Sequence, residues 1–566
     1  MSTRTGVCNF CGTGCGHLLD VRDGAVRGVF ASPGHPVSRG RLCVRGWHIH
    51  ELLATRERIV SPAIRTDGRL RPVPYEEALA YAADRLGRYS GDELAFLASP
   101  RASNEDNFLM ARLARTVCRT PHIGLASDQG HGAAAEVLLE GTGWPAMSGS
   151  LAEVRKARFI LVVGSDIAKL NPIVGSEIHL AARGGARLVL LAPRSAQMAR
   201  LSGDHLWTRP GSLRHVLAAA AKVLVEKGWH DEAFVRERTE GFDGFARSLA
   251  GLDLEALAAA SGLTVPVIED LARGLAQAPA AMAFFTTGIA SLDRDTVALL
   301  HGLFLAAGKT GREGCGVNPV PGVANIVGAT DVGASNRFLA GHRRAEGPEA
   351  GRTPRELLAD PASPLKALVA ADRDEGIVRH AGRIKGLELL LYIGAYTNPF
   401  ADLAHVVLPA ASYAEADGTY TNAERRVQLN RKKVEPPPGV RPAWRVYADL
   451  AAKLGAAWTF DSAEAVMDGI AAAAPAYAGV TYAKLERGHG LQWPVDAARP
   501  DGTVRLDAAA GPRRLRFVAV PASLQAPAPS AEFPFLLMAG KANYFWHRNN
   551  IMKKTQIPKR EYNALL

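Results

Sequence analysis

At 566 residues, with 47% hydrophobic residues and a formal net charge of +11, the chain has apolar material for several cores, which excludes a disordered scaffold. Its basic residues fall in short groups such as Arg343-Arg344, Arg425-Arg426 and Arg431-Lys432-Lys433, with no aromatic-interleaved stripe. This predicts no nucleic-acid partner, and reads instead as a solvated face or a docking surface for an acidic redox partner.

The first residues lack a charged start followed by an apolar run, no twin-arginine signal is present, and no uninterrupted apolar stretch approaches about 18 residues. The expectation is a cytoplasmic protein without direct membrane insertion. Residues 1–60 are glycine-rich and hold four of the six cysteines, Cys8, Cys11, Cys15 and Cys43, in the spacing C-x2-C-x3-C-x27-C. The close trio can place three thiolates on one tight loop, and Cys43 closes the fourth corner from a second loop, forming a metal cage. Four thiolates also suit a tetrahedral zinc. Structural zinc sites, however, usually come as two close pairs, whereas a three-plus-one pattern with Gly12, Gly14 and Gly16 suits the NH-to-sulfur hydrogen bonds of an iron–sulfur cluster. Cys118 and Cys315 stand far apart and read as small buried hydrophobes.

Downstream, strands and helices alternate. Apolar spacing predicts a helix over 75–89, and 93–97 reads as a buried strand that stops at Ser99-Pro100. Over 159–194 come FILVV, the turn Gly164-Ser165-Asp166, a helical segment through His179, and RLVLLA from Arg187. Such a strand–helix–strand unit predicts a parallel sheet, because parallel neighbours need a crossover. Gly164 alone is a weak nucleotide signal. LELLLYIG at 387–394 is a further strand, and the Pro- and Ala-rich stretch 520–531 reads as a linker. No Ser-His-Asp arrangement or phosphate loop is discernible, and His48, His50 and His547 make no metal-ligand spacing.

Longer motifs are PRASNEDNF (100–108), NPIV from Asn171, GREGCGVNP (311–319), GATDVGA (328–334), VVLPA from Val406, GTYTNAERRVQ (418–428) and GLQWP from Gly490. With the cysteine quartet they resemble the catalytic subunit of molybdenum or tungsten bis-pterin-guanine-dinucleotide oxidoreductases, most closely the formate dehydrogenase alpha subunit, over about residues 1–555. The resemblance implies an α/β fold: an N-terminal iron–sulfur domain (1–60), two interleaved doubly wound α/β domains (61–134 with 330–460, and 135–329), a connecting segment (461–531), and an incomplete C-terminal β-barrel domain (532–566). It also implies a [4Fe-4S] cluster on Cys8, Cys11, Cys15 and Cys43, beside a Mo- or W-bis-molybdopterin guanine dinucleotide.

Individual positions depart from that pattern. Where formate dehydrogenases place the Cys or selenocysteine metal ligand, this chain has Gly130, followed by His131, which the resemblance makes the catalytic, proton-handling histidine and which without a ligand at 130 reads instead as a hydrogen-bonded cleft residue. The family's substrate-orienting arginine falls on Pro321, which offers no fork for a carboxylate. The DPR turn serving the nucleotide reads Ala192-Pro193-Arg194, RPGTD ends in Ser212-Leu213, and the C-terminal HTGTMTRR loop appears as residues 547–554, His-Arg-Asn-Asn-Ile-Met-Lys-Lys. The losses fall on contacts, while scaffold motifs such as GTYTN and VVLPA stand, a character shared with the large iron–sulfur subunit of NADH dehydrogenase. Arg45 fits that subunit's Cys-x-Arg-Gly, where formate dehydrogenases usually place Lys between cluster and pterin. Arg425 and Arg426 fall in a family motif of structural character and read as salt-bridged scaffold. The expectation is an electron-transfer subunit carrying one [4Fe-4S] cluster and working with flavin- or ferredoxin-type iron–sulfur subunits. The alternative is a formate dehydrogenase-type enzyme. From Phe533 only 34 residues remain, against about 100 for a barrel domain, so the expectation is a truncated product, a fragment of a longer sequence, or a domain completed by another subunit.

Overall fold

The computed structural model describes residues 2–164, 166–200, 203–288, 292–506, 514–520, 524, 529–536 and 555. The loop 547–554 lies outside the described residues, as does most of the expected start of the barrel domain. The chain divides into two compact units, each built from separated stretches. One combines Met1–Asp128 with Val323–Gly502, and the other Gln129–Gly322 with Thr503–Asn543.

The first unit opens with an antiparallel sheet of β1 (Ser2–Val7), β2 (Gly16–Arg22) and β3 (Ala25–Ala31), in that order. Between β2 and β3 only Asp23 and Gly24 intervene, both at positive φ (51° and 71°), the backbone that a two-residue hairpin needs and that Asp-Gly supplies. A short helix, α1 (Val44–Trp47), follows directly on Cys43. The unit's main sheet has seven strands in the order Arg69–Pro72, Ala63–Thr66, Val406–Pro409, Leu389–Gly394, Ala367–Ala370, Leu94–Ala98 and Ile123–Leu125. The last five pair in parallel. Leu94–Ala98 is buried at every position, as a strand covered on both faces must be. A further antiparallel sheet joins Gly418–Thr421, Arg426–Asn430 and Leu491–Gln492.

The second unit holds a five-stranded, wholly parallel sheet in the order Asp204–Trp207, Arg187–Ala192, Phe159–Val163, Ala281–Thr287 and Gly316–Pro321. The helix Leu213–Glu226 is its packing centre, against Arg294–Ala306 and Val265–Gln277. Ala218, Ala219, Ala220 and Ala221 are all wholly buried, and these small side chains let neighbouring helices approach closely.

The mixed α/β class and the parallel pairing across 159–194 agree with the sequence reading. Arg425 and Arg426 are covered, with Arg426 Nε 2.7 Å from Glu424 Oε1, as a salt-bridged scaffold pair should be, whereas Lys433 corrects the expectation of a solvated group. Lys433 is buried, its Nζ donating to Asn430 Oδ1 at 2.7 Å, and Arg425 is wholly buried. Arg425 sits at φ 67°, which turns its side chain inward, where Nη1 donates to the Trp493 carbonyl at 2.6 Å and the guanidinium stacks on that indole. Arg343 and Arg344 are exposed, as expected.

Candidate functional site

Cys8, Cys11 and Cys15 lie on the loop between β1 and β2, closed at its base by Cys8 N donating to Cys15 O at 2.8 Å. Inside it Gly14 takes φ 61°, and a Cβ there would meet Gln428 Nε2 at 2.5 Å, so glycine is required for both conformation and space. The loop is walled by the GTYTN segment: Ala423 N donates to Gly12 O at 2.7 Å and Asn422 Nδ2 to Thr13 O at 3.2 Å. Cys43 comes from the turn before α1 and is the least covered of the four, none of which is disulfide-bonded.

The four sulfurs share one electrostatic site. Burial pushes the Cys8 and Cys15 thiols up, and the neighbouring cysteines push in the same direction. Burial also acts on Cys43, but the Arg45 guanidinium and the backbone N–H groups of Arg45 and Gly46 outweigh it and hold that thiol below its ordinary value. Three thiols on one tight loop and a fourth on the turn before α1, none of them disulfide-bonded and with Arg45 beside them, are a donor set that fits an iron–sulfur cluster.

Arg45 is not a solvated surface charge. It is 3% exposed and held against Cys43 and Cys11, whose charges raise its pKa even though burial opposes. Beyond it, Arg101 is buried too. Burial lowers its pKa, Arg45 adds to that, and Asp372 with the cysteines opposes. Sequence reasoning missed Arg101 as a site residue, although it is the second residue of PRASNEDNF. It also missed His35, whose Nε2 meets Gln428 Oε1 at 2.7 Å, because the partner lies nearly 400 residues away.

Arg101 borders a cavity of about 120 Å³, with Asn9 from the cysteine loop, Ser99, Asp372, Tyr396 and Asn398. Ser99 and Asp372 follow the strands Leu94–Ala98 and Ala367–Ala370, so the cavity opens at the carboxyl ends of parallel strands, where α/β sheets hold ligands. Ser99 Oγ donates to Asp372 Oδ2 at 2.7 Å.

The other sequence candidates belong to the second unit, where the structure brings Gly130, His131 and Pro321 together. Gly130 is the left-handed N-cap (φ 67°) of the helix His131–Thr142. His131 is 4% exposed and its Nδ1 meets Thr287 Oγ1 at 3.1 Å, while Thr287 pairs in register with Pro321. Asn171, from NPIV, donates to the Pro321 carbonyl at 2.9 Å. Ala192 ends a strand and Leu213 begins a helix, its Cδ1 2.9 Å from where a Cβ on Gly164 would stand. At the positions that the resemblance assigns to the metal ligand, the substrate-orienting arginine and the nucleotide-binding acid, the chain carries Gly130, Pro321 and Leu213, whose side chains offer no ligand atom, no charge and no acceptor.

Comparison with known proteins agrees with the architecture. The Molybdopterin oxidoreductase family matches residues 58–453, and the Molybdopterin oxidoreductase Fe4S4 domain matches residues 1–54. The F420-dependent formate dehydrogenase 2 subunit alpha of Methanococcus maripaludis is 32% identical over 523 residues, 88% of this chain and 77% of its own length. The F420-dependent formate dehydrogenase subunit alpha of Methanocaldococcus jannaschii is 29% identical over 577 residues, 97% of this chain and 85% of its own. Among solved structures, the acetylene hydratase from Pelobacter acetylenicus superposes with a TM-score of 0.71 at 17% identity, covering 90% of this chain and 78% of that one, a likeness of fold alone. The chain belongs to the molybdopterin oxidoreductase family, in its formate dehydrogenase-like part, and carries that family's Fe4S4 domain.

Proposed function

We propose that this chain is an electron-relay subunit: Cys8, Cys11, Cys15 and Cys43 hold one [4Fe-4S] cluster, Arg45 compensates its charge, and the metal–pterin chemistry of the family has been given up. The observation that carries the reading is the turn at Gly130, glycine in a left-handed backbone where the family's ligand would stand, with Pro321 on the strand beside it. His131 is then a hydrogen-bonded cleft residue with no proton to move. The partners are other redox subunits of flavin or ferredoxin type, in the cytoplasm; among the described residues no helix is long and apolar enough to cross a membrane.

A second reading, a formate dehydrogenase-type enzyme without a protein ligand to its metal, is favoured by the polar set kept around the Arg101 cavity and by the names of the relatives. Metal analysis of anaerobically purified protein separates the two. The relay reading expects about four irons per chain and no molybdenum, tungsten or pterin. Stoichiometric molybdenum or tungsten overturns it, and zinc in place of iron overturns both.

A further inference from the structure

We propose that the outer face of the cluster domain, formed by β3, the loop at Arg39–Arg41 and α1, is the docking surface for a small acidic electron-carrier protein. The proposal rests on the relay reading and adds where the electron crosses and what kind of partner delivers it.

Four observations converge on this face. Cys8, Cys11 and Cys15 are 4–6% exposed, whereas Cys43 is only half-buried, so the thinnest cover over the thiols lies on its side. Next, α1 starts at the residue after Cys43 and packs on β3, and each presents a large apolar side chain to solvent: Trp47, 43% exposed, and Phe30, 47% exposed. Third, β3 is an edge strand whose only strand partner among the described residues is β2, which leaves a row of backbone groups on its outer side. Fourth, Gly40 N donates to Ser32 O at 3.1 Å, which brings Arg39 and Arg41 to the end of β3, close to Phe30, while Arg27 lies exposed on the strand itself.

The composition of the patch decides the occupant. Exposed aromatic rings among arginines are the mixture enriched at protein interfaces and at their energetic centres. Arg27 and Arg39 are exposed on this face and Arg41 is partly covered, while the exposed acid nearest them in the chain is Asp23, so the patch carries a net positive charge. That sign steers and selects a partner of negative charge. The crossing is a single outer-sphere step: a reduced [2Fe-2S] carrier loses one electron, the [4Fe-4S]2+ cluster becomes [4Fe-4S]+, and no bond forms or breaks.

The test uses the anaerobically purified holoprotein in stopped flow, with a reduced [2Fe-2S] ferredoxin of net negative charge as probe and reduced methyl viologen, which needs no docking surface, as control. For the wild type the second-order rate constant with ferredoxin should fall steeply with salt. The R27E/R39E double variant should react roughly tenfold or more slowly at low salt, W47S should also react more slowly, and R27K/R39K should restore most of the rate. Iron content, visible absorption and reduction by methyl viologen should hold in all three. Ferredoxin rates within twofold of wild type in both R27E/R39E and W47S, with viologen still reducing the cluster, overturn the docking surface and leave the relay reading standing. A wild-type cluster that ferredoxin fails to reduce and viologen reduces has the same meaning, and one that neither reduces sinks the relay reading itself. If W47S loses iron, the arginine pair alone decides.

Discussion

Glu105 shows what a buried acid does in this fold. It is wholly buried, and burial raises its carboxyl from an ordinary 4.5 to about 7, although Thr419 N (2.8 Å), Thr419 Oγ1 and Tyr482 OH all donate to it. The folded state therefore holds a proton that the unfolded chain has released between pH 4.5 and about 7, so the contribution of Glu105 to stability falls as pH rises through that window. In urea titrations from pH 4.5 to 8 the wild type should lose on the order of 3 kcal/mol relative to Glu105→Gln, the two sharing the opposite contribution of His17 and His35, which burial holds below the ordinary histidine value. Equal changes in both would put the linked proton elsewhere. Arg45 is the second residue with a measurable consequence. Removing a buried cation beside the cluster disfavours its more negative, reduced form, so Arg45→Met should lower the midpoint potential by on the order of 100 mV in a titration followed by electron paramagnetic resonance, with Arg45→Lys close to wild type. An unshifted Arg45→Met would mean that the charge does not face the cluster. At this scale the cysteines were legible because metal-ligand spacing is local. The burial of Arg45, Arg101 and Arg425 was not, since it depends on segments far off in sequence.

The elements divide in the same way. The helix expected over 75–89 runs Tyr75–Leu86 and the strand expected over 93–97 runs Leu94–Ala98, because both are written in local apolar spacing and punctuated by Gly and Pro. The antiparallel sheet that joins Gly418–Thr421 and Arg426–Asn430 to Leu491–Gln492 had no such signal, as its third strand is two residues long and comes from some sixty residues on. In the second unit, Leu300 is wholly buried on Arg294–Ala306. Leu300→Ala should cost roughly 2 to 5 kcal/mol, read as a lower thermal midpoint; a loss under about 1 kcal/mol would mean a helix less tightly packed than described. At the head of His131–Thr142, Gly130→Cys would restore a sulfur but place a Cβ-bearing residue at φ 67°. It should destabilise by about 1 kcal/mol, as should Gly130→Ala, which separates backbone strain from any effect of the thiol.

For the whole molecule, the α/β class and the cluster domain could be read from the motifs, whereas the cavity beside Arg101 could not, because its lining comes from strand ends brought together only by sheet order. Cys15→Ser should abolish the visible-range absorption and the low-temperature paramagnetic signal of the reduced protein; retention of both would show that Cys15 is not a ligand. The wall around the cysteine loop reaches further. Gly12 and Thr13 are hydrogen-bonded by Ala423 and Asn422, the Gln428 side chain lies against Gly14, and His35 also closes on Gln428. On the ribosome the cysteines emerge first, yet their cage lacks one side until residue 428 has been made, roughly 20 to 80 s later at ordinary elongation rates. During that interval the nascent chain carries four thiols with no finished pocket. Iron and sulfide delivered before then would meet a cage open on one side, so the cysteines depend on residues made long after them.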